Sequence, residues 1–131
     1  MTGIINDSKE AVLTVRIQGP NGQETEAEAV IDTGYNGAFS LPLEIITSLG
    51  LPARGTRYVT LGDGSTVSLE IYRATVVWDD FPRSVYVMAT EDVSLIGMSL
   101  LYGYRVIMDV IDGGLVTIEQ RPQSVAAVDN P

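Results

Sequence analysis

The sequence predicts an all-β fold with two short helices, closed or nearly closed on itself, and three observations carry that expectation. Apolar and β-branched runs recur at short intervals, from Ala11-Val12-Leu13-Thr14-Val15-Arg16-Ile17 to Leu115-Val116-Thr117-Ile118. Turn signals separate them: Gly19-Pro20-Asn21-Gly22, Gly62-Asp63-Gly64-Ser65, Asp79-Asp80 and Asp112-Gly113-Gly114. Only two segments, one after Pro42 and one after Gly97, read as helical, and many short strands with so little helix suit a barrel or sandwich. A chain of 131 residues, 45 % of them hydrophobic, fits one compact domain and leaves no room for a second of similar size.

The elements follow in order. Residues 1–10 form an N-terminal segment, and the folded domain is expected over 11–119. Ala11 to Ile17 is a first strand, and the turn at residues 19–22 leads into a second, Glu24 to Ile31. There Glu24, Glu26 and Glu28 alternate with Thr25, Ala27 and Ala29, which gives one wet face and one packed face. Pro42 suits a first helical position, Ile45, Ile46 and Leu49 make an apolar stripe, and Gly50 with Pro52 stops the helix. Thr56 to Leu61 and Thr66 to Trp78 flank the tip at residues 62–65, Asp79-Asp80 turns the chain, and Arg83 to Ala89 alternates back as a meander. Val106 to Ile111 and Leu115 to Glu119 bracket a last hairpin, and the tail over 120–131 loses periodicity and is expected to be disordered.

Composition narrows the chemistry. With no Cys and no His, the chain has no disulfide, no thiolate nucleophile, no Ser-His or Cys-His catalysis and no imidazole ligand. No metal and no cofactor are expected. Eight basic against seventeen acidic residues give a formal net charge of -9, and no stretch of sequence clusters the basic ones, which argues against a nucleic-acid partner. Residues 1–10 lack the charged start and apolar core of a signal peptide, and no run approaches the roughly 20 apolar residues of a membrane span. A soluble, cytoplasmic protein with no membrane partner is the expectation.

The carboxylate that chemistry could use is Asp32. It leaves the apolar run Ala29-Val30-Ile31 and opens Asp32-Thr33-Gly34-Tyr35-Asn36-Gly37, a strand end passing into a glycine-rich turn. Taken alone, an Asp before Gly reads as a turn carboxylate that bonds its own backbone. Its company changes that reading. Downstream come the hairpin tip Leu61-Gly62-Asp63-Gly64-Ser65, then Leu95-Ile96-Gly97 running into the short helix Met98-Ser99-Leu100-Leu101, then Gly103-Tyr104-Arg105.

In this order the segments resemble the retropepsin-like aspartic proteases, over about residues 11–119, and within them the small prokaryotic single-domain branch. The resemblance implies an acid-protease barrel with one lobe per chain, acting as a homodimeric endopeptidase on extended peptide or protein substrates. It makes Asp32 the catalytic carboxylate and Thr33 and Gly34 the active-site loop, with Thr33 bonding across the two-fold axis. It makes Gly62, Asp63 and Gly64 the candidate flap tip, and Leu95-Ile96-Gly97 the segment that passes so close to the active loop that a side chain on Gly97 would collide. Viral members usually have Ala where this chain has Tyr35, which bears on the size of the neighbouring substrate pocket. Asp63 is likewise unusual beside apolar viral flap tips, and the alternative is that it stays in solvent at a plain hairpin turn.

Hydrolysis by carboxylates needs two of them, one ionised to deprotonate water and one protonated to hydrogen-bond the carbonyl. The chain contains one Asp-Thr-Gly, so the second carboxylate must come from another copy. Tyr35 and Tyr58 are weak candidates for the substrate cleft, Trp78 reads as core or interface, and Asp109 as structural. The rival reading is a catalytically silent module on the same fold, gripping peptide strands or dimerising without cutting, and a weaker third is a regulatory or toxin-antitoxin accessory domain.

Overall fold

The computed structural model describes residues 1–122, and the end of the expected disordered tail, 123–131, lies outside the described residues. Ten strands and two short helices follow in the order β1 (Thr2–Ile5), β2 (Ala11–Gln18), β3 (Glu24–Ile31), β4 (Phe39–Pro42), α1 (Leu43–Leu49), β5 (Ala53–Thr60), β6 (Thr66–Trp78), β7 (Phe81–Thr90), β8 (Ser94–Ile96), α2 (Met98–Leu101), β9 (Tyr104–Met108) and β10 (Leu115–Gln120). One continuous sheet runs β5-β6-β7-β4-β8-β3-β2-β1-β10-β9, and an extra antiparallel pairing of β2 with β6 closes six of these strands into a barrel. The all-β expectation with two short helices holds.

Alternation fills the barrel. Ala11, Leu13, Val15 and Ile17 of β2 point inward beside Ala27 and Ala29 of β3, while Glu24, Glu26 and Glu28 stay wet. Phe39, Leu41, Val76, Val87, Ile96 and Leu100 are fully buried. Trp78 is core: its ring is buried and meets Tyr104 edge to face at 6.1 Å.

Four segments differ from the sequence expectation. Thr2–Ile5 is a strand that pairs with both β10 and β2, so the N-terminal segment contributes to the sheet. Phe39–Pro42 is a strand too short for periodicity to betray, and it includes Pro42. With ψ at 143° and Thr90 opposite it, Pro42 is extended, and the helix starts one residue later. Gly50, left-handed at φ 63°, ends that helix by donating to the Ile46 and Thr47 carbonyls. The strand expected over Val106 to Ile111 instead spans Tyr104–Met108. Val110 and Ile111 stand 69 % exposed in the loop that follows.

β8 lies between β3, to which it is parallel with Ile31 opposite Ile96, and β4, to which it is antiparallel with Phe39 opposite Ile96. Residues 32–38 must therefore arch over the end of β8 to connect its two neighbours. That arch carries Asp32.

Candidate active site

Main-chain hydrogen bonds tie the arch to the end of β8 and the start of α2. Asp32 N donates to Ile96 O at 2.9 Å, Gly97 N to Ala38 O at 2.9 Å, Met98 N to Tyr35 O at 2.8 Å and Ser99 N to Gly37 O at 3.2 Å. The Ser99 hydroxyl adds a short bond to Asn36 O. Beneath, the buried Ser40 Oγ accepts Leu95 N at 2.9 Å and fixes β8 against β4. The approach leaves no space for a side chain: a Cβ on Gly97 would lie 2.0 Å from Gly37 O, 2.6 Å from Tyr35 Cδ2 and 2.8 Å from Tyr35 O. Gly97 is extended, at φ -100° and ψ 176°, so contact alone demands glycine there.

Asp32 is half-buried within this frame. Its Oδ1 accepts Gly34 N at 2.9 Å and its carbonyl accepts Tyr35 N at 3.1 Å, which holds the carboxylate against its own turn. Oδ2 has no hydrogen-bond partner among the described residues. A Cβ on Gly34 would come within 3.2 Å of Oδ1, so this glycine lets the chain pass beside the carboxylate. Thr33 is exposed at the crest of the arch.

Two cavities flank the arch, and Asp32 lines neither. On one side Ile31 and Thr33 join Met98, Leu101, Tyr102 and Tyr104 around an apolar hollow. Met98 is 44 % and Tyr102 85 % exposed at its mouth. On the other side Tyr35, Asn36, Gly37 and Ala38 form one wall of a cavity whose opposite wall carries Arg57, Arg73 and Arg83. Tyr35 thus belongs to the cavity wall and to the scaffold together. Its hydroxyl donates to Phe39 O at 3.3 Å, and burial raises its pKa against the opposing influence of the Arg57 charge.

The β5–β6 hairpin bears Gly62, Asp63 and Gly64 at its tip, where a Cβ on either glycine would meet no atom within 4 Å. Asp63 is exposed there. Its Oδ1 accepts the Ser65 hydroxyl at 2.6 Å and Ser65 N at 2.9 Å, and these bonds lower its pKa. Gly64, at φ 87°, completes the turn. Tyr58 lies on the same hairpin, 74 % exposed, and contributes to neither cavity. Asp109 is exposed in the loop after β9, which turns on its main chain: Asp109 N donates to Leu115 O, and the carbonyl accepts Ile111 N.

The arginine wall is what sequence reading missed. No basic patch is visible along the chain because Arg57, Arg73 and Arg83 belong to three different strands, and only the meander brings them to the lining of one cavity. Among the described residues no cluster of His, Cys, Asp or Glu could hold a metal ion, and no helix is long and apolar enough to cross a membrane.

Against known proteins, the chain superposes on the crystal structure of a retropepsin-like aspartic protease from Rickettsia conorii with a TM-score of 0.57 and 18 % identity, over 93 % of this chain and 92 % of that one. The chain has a retropepsin-like fold. EIAV protease in an inhibitor complex also matches, with a TM-score of 0.49 and 20 % identity over 73 % of this chain and 88 % of that chain. No family model matches the sequence, and no curated protein matches it. Within this retropepsin-like fold Asp32 occupies the arch over β8, and the free hairpin is β5–β6.

Proposed function

We propose that the chain is an aspartic endopeptidase that works as a homodimer, with one Asp32 from each copy at a shared site. The observation that carries the reading is the clamp on the arch: Ile96 O and the side-chain-free Gly97 hold the Asp32 turn in one geometry, with Oδ2 left without a partner among the described residues. A carboxylate fixed in that way is suited to act on water rather than to brace the fold.

One Asp-Thr-Gly per chain supplies half of the chemistry. With two facing carboxylates, one serves as the base and the other, carrying a proton, as the hydrogen-bond donor. The ionised member takes a proton from water as the water oxygen bonds to the peptide carbonyl carbon. The neutral member hydrogen-bonds the carbonyl oxygen. Collapse of the tetrahedral intermediate breaks the C–N bond as the pair passes a proton to the nitrogen, so one water is consumed and the pair is left with the single proton it began with. Self-association through the exposed Thr33, Met98 and Tyr102 is favoured by the apolar hollow beside the arch, since a second copy seated there removes its surface from water. The β5–β6 hairpin, whose tip glycines face open space where a Cβ would stand, is free to close over an extended peptide.

Asp32→Asn tests the assignment. The amide keeps the shape and still accepts Gly34 N, so the dimer should persist while peptide cleavage is lost. An Asp32→Asn dimer that cuts a peptide library at the wild-type rate overturns the assignment.

A further inference from the structure

We propose that the cavity walled by Arg57, Arg73 and Arg83 is a specificity subsite that takes an anionic side chain, carboxylate or phosphate, of the substrate. The inference rests on the reading above in one respect: residues 35–38, which follow Asp32 on the same arch, line this cavity, so a peptide with its scissile bond at Asp32 is taken to reach it.

Charge is the first observation. The chain has a net charge of -9 and eight basic residues, and three of those eight line this one cavity. No Asp or Glu lines it, and among the described residues none of the three arginines enters an ion pair, whereas Arg16 and Arg105 elsewhere on the surface do. An acidic protein that leaves three arginines together without a carboxylate has a local field opposite to its overall one, and that field favours an anion.

Preorganisation is the second. Arg73 lies over the Tyr86 ring at 4.4 Å, directly across the β6–β7 ladder. Arg83 donates through Nη1 to Leu100 O at 3.0 Å, which uses one of its five N–H donors. Both guanidinium groups are thus held in place before any ligand arrives, and both are half-buried. Fixed guanidinium donors in a partly desolvated wall suit a planar carboxylate or a phosphate better than a mobile lysine would. Ser84 and Ser99 add hydroxyls to the lining.

The test uses the full-length protein and a set of peptides identical except for Glu, phosphoserine, Gln or Lys at each position flanking the cut. At one position Glu or phosphoserine should exceed Gln in kcat/KM by about ten-fold or more, with Lys poorest, and the preference should shrink as salt rises. The relative rank of Glu and phosphoserine identifies which anion the cavity takes. Arg57→Glu with Arg73→Glu should turn the ranking toward Lys, and Arg73→Gln, milder for folding, should reduce the Glu-to-Gln ratio. A parallel arm measures binding of the same peptides to Asp32→Asn by fluorescence anisotropy, so the cavity is probed without any cut. Cleavage with Glu, phosphoserine and Gln equal within two-fold at every position overturns the subsite and leaves the peptidase intact. Absence of cleavage together with a ten-fold, arginine-dependent preference for the anionic peptide in the binding arm upholds the subsite and refutes the peptidase. Equal binding and no cleavage refute both.

Discussion

Replacing Gly97 by Ala probes the clamp on the arch directly. The added Cβ would stand 2.0 Å from Gly37 O, whereas a carbon–oxygen contact settles at about 3.3 Å, so the arch and the end of β8 must part by more than 1 Å. Tyr35 O, at 2.8 Å from that Cβ, and Tyr35 Cδ2, at 2.6 Å, oppose the same movement, and all but the ring atom are backbone, which cannot swing away. Backbone conformation adds no penalty, because φ of -100° suits any residue. Overpacking of this kind costs about 1–3 kcal/mol. The parting also stretches Gly97 N to Ala38 O and Met98 N to Tyr35 O, each worth about 1 kcal/mol net. The sum, about 3–5 kcal/mol, is a large share of the roughly 5–15 kcal/mol that holds a typical domain together. Equilibrium denaturation should show a lower midpoint with an unchanged slope. Gly62→Ala is the control: nothing lies within 4 Å of its Cβ, so the change should stay within about 0.5 kcal/mol. A Gly97→Ala protein within 1 kcal/mol of wild type would refute the clamp and with it the argument that Asp32 is held in one geometry.

Two further outcomes are expected. Tyr102→Glu places a charge on an 85 % exposed ring at the mouth of the apolar hollow, so sedimentation should find monomer and activity should fall with it; an active dimer would move the association surface elsewhere. Burial raises the pKa of Tyr35 in the folded state, so the unfolded chain releases that proton first. Stability should therefore fall as pH climbs from about 10 through the folded value, and Tyr35→Phe should flatten that limb of the denaturation midpoints; a limb unchanged by Tyr35→Phe would rule out this origin.

Legibility divides by sequence range. β2, β3, β6 and β7 were readable because alternation persists over eight residues or more, and so were their turns, down to Asp79 and Asp80, which both take positive φ at the tip of β6–β7. β1 and β4 were not, because four residues hold too little alternation to read, and it is pairing with β2 and β10 for the one and with β7 and β8 for the other that makes them strands. Asp32 and Gly34 stood out because their turn is closed within three residues, and Gly97 because it stands between an apolar pair and the start of a short helix, although the contact that demands glycine there comes from Tyr35 and Gly37. Nothing comparable marks Ser40, whose hydroxyl holds Leu95 from 55 residues away.

The arginines follow the same logic in reverse. A charge that acts on a ligand needs only a position in space, and the meander satisfies it with residues 16 and 10 apart in sequence, so no window along the chain contains the pattern. The arch makes these two kinds of information meet. Residues 32–34 are dictated by the carboxylate they present, and residues 35–38 by the wall they offer to the arginines, yet both halves hang from the same four main-chain bonds to β8 and α2. Loosening the clamp must therefore disturb the carboxylate and the anionic preference together, whereas removing an arginine must disturb the preference alone. A variant series that separates those two effects locates catalysis and selection on one arch, and a Gly97→Ala protein that keeps its Glu-to-Gln ratio while losing its rate would place the cavity's far wall outside the clamp's reach.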